Sequence, residues 1–138
     1  LSRRPGYALK TDGCHAEIVE YLRLHGVEVH DFASARNALD VLFFYDGQAG
    51  WIEFKMSKQN RPRYTYQQLR FIAETRMPVF FASDRDAALT FARTLRGGIL
   101  QIEKDRMAYR LAQMVDRRKL FTPNHVERMM AGGSVRDG

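Results

Sequence analysis

Two apolar runs separated by a turn signal constrain this 138-residue chain more than any other feature. They are Asp40-Val-Leu-Phe-Phe-Tyr45 and Trp51-Ile-Glu-Phe-Lys-Met56, and Asp46-Gly47 lies between them. An Asp-Gly pair favours a tight hairpin, because both residues tolerate positive φ. The runs are apolar on both faces, the pattern of central strands covered by helices on either side. One core can form at this length without disulfides or a structural metal. Cys14 is the only cysteine, so no internal disulfide and no zinc finger is available.

The second strand carries an anomaly. Glu53 and Lys55 are two apart, so their side chains leave the same face, while Ile52, Phe54 and Met56 leave the other. An ion pair inside an apolar strand is costly unless it has work or partners. A structural salt bridge is the plain alternative. The hairpin adds a third group. With a two-residue turn at Asp46-Gly47, residues whose numbers sum to 93 face each other and Asp40 lies opposite Glu53. A four-residue loop places Asp40 opposite Lys55 instead. Any even loop keeps the three on one face, and an odd loop separates them.

Two carboxylates one strand spacing apart repel, and a cation relieves the repulsion. Oxygen ligands select hard ions, Mg²⁺ or Mn²⁺. Such an ion lowers the pKa of water and stabilises charge on a phosphoryl oxygen. A neighbouring ammonium, Lys55, can orient the attacking water or neutralise developing charge. These are the parts needed to hydrolyse a phosphodiester.

The rest of the chain supplies helices and further strands. Residues 1–10 carry Arg3, Arg4 and Lys10 without an acid and read as a flexible basic arm. Thr11 or Asp12 caps a helix to about His25, with Ile18, Val19, Tyr21, Leu22 and Leu24 on one broad side and Gly26 as its stop. Val27 to Phe32 reads as a strand, Tyr66 to Arg76 as a helix and Pro78 to Ala82 as a strand. Asp84 caps a helix to Arg96, which Gly97-Gly98 stops. Ile99 to Ile102 suggests a short edge strand. Met107, Leu111, Met114 and Val115 recur at helical spacing, and Thr122-Pro123 opens a last helix over Asn124 to Met130. Residues 132–138 are expected to be disordered. The domain division is thus an arm at 1–10, a core over 11–102, a helical extension over 103–131 and a tail.

The resulting order is αβββαβα with a helical extension, an α/β domain built on one mixed sheet. In that order, Asp40 and Ile52-Glu53-Phe54-Lys55 resemble the D-(x)n-E-x-K signature of PD-(D/E)XK nucleases. Glu17 matches the first-helix glutamate of the Holliday-junction-resolvase and virus-type replication-repair branch. Thr65-Tyr-Gln-Gln68 resembles the S/T-x-x-Q that opens the helix after the catalytic strands. Leu39 stands where the signature has proline. The resemblance covers about residues 11–96.

It implies a restriction-endonuclease-like αβββαβ core with a central mixed sheet flanked by helices, here extended by a C-terminal helical tail. It also implies divalent-metal-dependent cleavage of DNA, with branched, flapped or junction DNA among the candidate substrates. Asp40 and Glu53 would be metal ligands together with the Phe54 carbonyl, Lys55 the catalytic lysine, Glu17 an auxiliary acid and Gln68 a supporting residue.

Charge agrees with an anionic partner. The net charge is +6, and no acid lies between Glu53 and Glu74, a stretch holding Lys55, Lys58, Arg61, Arg63 and Arg70. Lys58, Arg61, Arg63, Tyr64 and Arg70, with Lys10 from the arm, form the expected DNA-binding set. Arg117-Arg118-Lys119 either extends that footprint or is ordinary surface charge. Phe43, Phe44, Phe80, Phe81 and Phe91 read as core. Trp51 reads as core or as a wall of the cleft. Cys14-His15, His30 and His125 read as surface or satisfied residues. The Met-rich tail from Ile99 to Met130 is expected to contribute to a homodimer interface. No run approaches the roughly 20 apolar residues that cross a bilayer, and the N-terminus lacks the apolar region of a signal peptide, so a soluble cytoplasmic protein is expected.

Overall fold

A computed structural model describes residues 6–35, 38–55 and 63–132. The elements in order are α1 (Gly6–Leu24), β1 (Glu28–Asp31), β2 (Val41–Tyr45), β3 (Gln48–Phe54), β4 (Tyr64–Thr65), α2 (Tyr66–Glu74), β5 (Val79–Ala82), α3 (Arg85–Thr94), α4 (Gln101–Ala112), β6 (Leu120–Phe121) and α5 (Pro123–Met130). Four strands form one mixed sheet in the order β1-β2-β3-β5. The first three are antiparallel neighbours, and β5 runs parallel to β3 after the α2 crossover. β4 and β6 pair in a separate two-stranded ribbon. Among the described residues, no helix is long and apolar enough to cross a membrane.

The hairpin register is the one the turn chemistry dictates. Val41 pairs with Ile52, Phe43 with Gly50 and Tyr45 with Gln48. Asp46 and Gly47 both have positive φ, 50° and 81°, as a type I′ turn requires. Gly50 has a second reason to be glycine. A Cβ there would lie 2.8 Å from the Phe43 ring and 3.1 Å from the Pro78 carbonyl. Gly50→Ala is therefore expected to destabilise the fold by about 1–3 kcal/mol through overpacking, read by urea denaturation.

Strand alternation splits the interior into two cores. Val41, Phe43, Ile52, Phe54 and Ala82 face α1 and α3 on one side. Leu39, Trp51, Tyr64 and Val79 face α2, α4 and α5 on the other. Trp51 is core, edge-on to Phe71 at 5.0 Å between ring centroids. Phe44 departs from expectation. It lies near the hairpin end of β2 and is 40% exposed, with the His30 ring perpendicular to it at 5.8 Å between centroids.

Several boundaries differ from the sequence reading. α1 begins at Gly6, so part of the expected arm is helical, and residues 1–5 lie outside the described residues. Leu24, assigned to its apolar side, is 74% exposed at the helix end. The segment 99–102 is not a strand. Ile99 N donates to Val79 O at 2.8 Å, and α4 then starts at Gln101. α4 stops at Ala112, and Val115, placed on its apolar side by spacing, is 96% exposed.

The extension folds back on its own chain. Met107, Leu111, Val126, Met129 and Met130 are buried in the second core, while Leu100, Ile102, Tyr109, Val115 and Leu120 of the same stretch stay exposed. Residues 133–138 of the expected tail lie outside the described residues.

One charged residue helps to hold the extension in place. Lys104 is 3% exposed, and its Nζ donates to Thr75 O at 2.7 Å and Met77 O at 2.8 Å, satisfying carbonyls just beyond the end of α2. Burial, with Arg76 nearby, pushes its pKa down. Lys104→Met would strand both carbonyls and is expected to cost about 2–3 kcal/mol, measurable by thermal unfolding.

Candidate metal-binding carboxylate site

The site lies at the end of the sheet where β3 and β5 finish and β2 begins. Asp40 immediately precedes β2, and its carbonyl accepts from Phe32 N at 2.7 Å, which continues the pairing of β1 and β2. Lys55 N donates to Ala82 O at 2.8 Å, which continues that of β3 and β5. The backbone on both sides of the pair is therefore fixed.

Two reciprocal bonds lock the carboxylates. Asp40 N donates to Glu53 Oε1 at 3.0 Å, and Phe54 N donates to Asp40 Oδ2 at 2.8 Å. Glu53 is only 9% exposed. Burial, and then the Asp40 charge, raises its pKa from 4.5 to about 8. Asp40 is also raised, by burial, although the Phe54 amide and His15 act the other way. The pair therefore holds a proton readily and would exchange it for a cation.

Lys55 follows on the same face, but its partner is unexpected. Its Nζ lies 3.7 Å from Glu127 Oε2 on α5 and 5.9 Å from the centre of the Phe81 ring. The structural ion pair that the strand itself suggested, Glu53 with Lys55, is replaced by one to the last helix. Glu127 was not singled out from the sequence, where nothing marks an exposed helical glutamate.

His15 is the second residue the sequence reading passed over. It lies three and four positions before the buried Ile18 and Val19, which puts it on the inward side of α1. Its Nε2 is 3.2 Å from Asp31 Oδ2, and its ring meets Phe54 edge-on at 4.9 Å. Its charge lowers the pKa of Asp40, so it belongs to the surroundings of the pair. Helical phase could have found it. Glu17 is two residues on and about 200° around the helix. Glu17 is exposed, whereas His15 packs against Phe54.

The remaining expected residues divide. Gln68 serves α2 itself: its Oε1 accepts from Thr65 N at 3.0 Å, and its N donates to Thr65 Oγ1 at 3.1 Å. The T-x-x-Q motif is thus a capping box. Tyr64 was expected on a phosphate-facing loop. It is instead 1% exposed, with its ring 5.7 Å from Phe81, so it cannot present a surface to DNA. Burial raises its pKa, with Glu53, Asp40 and Glu127 adding to the shift. Arg63 is exposed. Arg70 is exposed and bonded to Glu74 Oε2 at 2.9 Å. Lys58, Arg61 and the side chain of Lys10 lie outside the described residues.

Among the described residues, no three His, Cys, Asp or Glu side chains gather closely enough to hold a metal ion between them. Two carboxylates still fit Mg²⁺, which is commonly held by one or two of them and keeps several waters. The hydrogen-bonded, proton-holding pair is the observation that favours such a fit. Against known proteins, the chain matches no family model, no curated protein and no solved structure. Its function must be argued from this site.

Proposed function

We propose that the protein is a divalent-metal-dependent endonuclease that hydrolyses DNA phosphodiester bonds, built on a restriction-endonuclease-like αβββαβ core of the PD-(D/E)XK kind. The observation that carries this reading is the hydrogen-bonded pair of half-buried Asp40 and buried Glu53, with Lys55 two residues along on the same strand face. Support for the core comes from the element order, in which a helix and an antiparallel three-stranded meander precede a helical crossover to a parallel strand.

In this reading Asp40 and Glu53 hold Mg²⁺ or Mn²⁺, with the Phe54 carbonyl as a further ligand. The bound ion would supply a more acidic water and charge stabilisation at the scissile phosphate. Lys55 turns from Glu127 toward the phosphate and offsets the charge that builds there. Asp40 stays fixed because the Phe54 amide holds one of its oxygens. DNA with a branch, flap or junction is the substrate class proposed.

A second reading has an observation of its own. Lys55 is held by Glu127, which suits a catalytically silent nucleic-acid-binding module on the same fold. Labelled duplex, single-stranded and four-way-junction DNA, incubated with Mg²⁺, with Mn²⁺ and with chelator, separates the two. Metal-dependent cutting supports the endonuclease. Salt-sensitive binding without cutting under any of these conditions supports the silent module, and neither binding nor cutting sinks both.

A further inference from the structure

The C-terminal extension builds a surface that the carboxylate pair does not use. In the β4–β6 ribbon, Tyr64 pairs with Phe121 and Thr65 with Leu120. Alternation gives the ribbon two faces. Tyr64 and Phe121 are 1% and 0% exposed and enter the second core. Leu120 is 54% exposed on the outward face, and Arg63, which precedes Tyr64, is exposed.

The segment entering β6 carries Arg117, Arg118 and Lys119 against the single carboxylate of Asp116. Asp116 Oδ1 accepts from Arg118 N at 3.0 Å and from Arg118 Nε at 3.3 Å, so it orders the turn. Arg117 lies 5.2 Å from the centre of the Tyr66 ring, and Lys119 lies 5.7 Å from that of Phe121. Aromatic faces therefore hold both cations in place while leaving their charge available. Ahead of them Val115 is 96% exposed, an apolar side chain fully in water beside a cluster of cations.

We propose that the exposed turn entering this ribbon, together with the ribbon's outward side, binds a nucleic-acid strand, with Arg63, Arg117, Arg118 and Lys119 on phosphates and Val115 and Leu120 against unpaired bases. Cations ordered along a ribbon suit the regular charge of a phosphate backbone. Apolar contacts add affinity where bases are unstacked and their faces open. An anionic lipid surface shares the same charge chemistry. Nucleic acid is favoured because the ribbon adjoins the end of the sheet that carries the pair: the Tyr64 ring lies 5.7 Å from that of Phe81, Lys55 Nζ lies 5.9 Å from the same Phe81 ring, and Lys55 Nζ lies 3.7 Å from Glu127 on the helix that follows β6. That choice rests on the phosphodiesterase reading of the pair. The ribbon would then hold the strand on one side of the chemistry and select DNA with an unpaired segment.

The test measures binding in chelator, where no cutting competes. Fluorescent blunt duplex and duplex with a single-stranded overhang are titrated by anisotropy across a salt series. Two double variants each remove two positive charges. Arg117→Ala with Arg118→Ala strips the ribbon, and Arg93→Ala with Arg96→Ala strips exposed positions in and just after α3, on the other side of the sheet. The ribbon variant should weaken binding about tenfold near 0.1 M salt and lower the log–log salt slope by about 2, and the α3 variant should change little. Val115→Ser with Leu120→Ser should remove the preference for the overhang and keep the salt slope.

Equal weakening by the two charge variants would overturn the proposal. So would equal affinity of the wild type for blunt and overhang duplex, or binding to phosphatidylserine vesicles with no binding to DNA. The two readings fail separately. Tight, ribbon-dependent binding without cutting in Mg²⁺ leaves the surface standing and removes the nuclease. Cutting at low substrate that is unchanged in the ribbon variant does the reverse.

Discussion

Replacing Glu53 by Gln is expected to make the metal-free protein more stable at pH 8, by roughly 3–5 kcal/mol, while leaving it no more stable than the wild type at pH 4. In the unfolded chain Glu53 ionises near 4.5, and burial beside Asp40 raises that to about 8 in the fold. Between these values the folded protein keeps a proton that the unfolded chain has already released. Stability is therefore fully present below about pH 4.5, falls as pH rises and levels off above about 8.

The amide introduced by Glu53→Gln would still offer an oxygen to Asp40 N and could donate to the Asp40 carboxylate, so the hydrogen bonding survives and the like charge goes. For a chain of this size the gain corresponds to about 10 °C in melting temperature. Thermal melts of both proteins in chelator, from pH 4 to 9, check this. Coincident curves throughout would mean that the pair carries no electrostatic strain. Mg²⁺ or Mn²⁺ should raise the wild-type melting temperature at pH 8, by about 2.7 kcal/mol of stabilisation at a hundredfold excess over Kd, and leave that of Glu53→Gln nearly unmoved.

The same substitution, and Asp40→Asn, should each abolish metal-dependent cutting of DNA, by at least about a thousandfold, or ~4 kcal/mol of transition-state stabilisation. The stabilised variant losing activity is the informative combination, because it excludes unfolding as the cause. Lys55→Ala should reduce the rate by a comparable factor while leaving the metal-induced rise in melting temperature intact, because the lysine bears on phosphate rather than on the ion. Quenched-flow rates at saturating Mn²⁺, alongside the melts, separate the two roles. An Asp40→Asn protein that cuts at the wild-type rate would end the nuclease reading.

Much of this site was legible because its determinants are local. Asp46-Gly47 fixes the turn, the turn fixes the register, and the register puts Asp40 opposite Glu53. Each step follows from backbone sterics within a dozen residues. The parity of β3 likewise fixes Lys55 on the face of Glu53. The capping of α2 by Thr65 and Gln68 is as local, and here the chemistry of the cap explains the motif without a catalytic role for Gln68.

The misreadings have a common cause. His15 and Glu17 lie about 200° apart on α1, and the phase set by Ile18, Val19 and Leu22, which pack under the sheet, turns His15 inward. β4 and β6 have two residues each, too few for alternation to register, and they are far apart in the chain. Met107 and Leu111 mark α4 as apolar on one side, and only packing shows that this side enters the second core.

The sequence by itself determined the hairpin, the carboxylate pair and the succession of helices and strands, since turn sterics and hydrophobic period act between near neighbours. Tertiary structure alone decided that Glu127 takes Lys55, that Tyr64 is interior and that the extension covers the second face of the sheet. Those outcomes depend on which distant surfaces bury the most apolar area together, and no short stretch of chain encodes that.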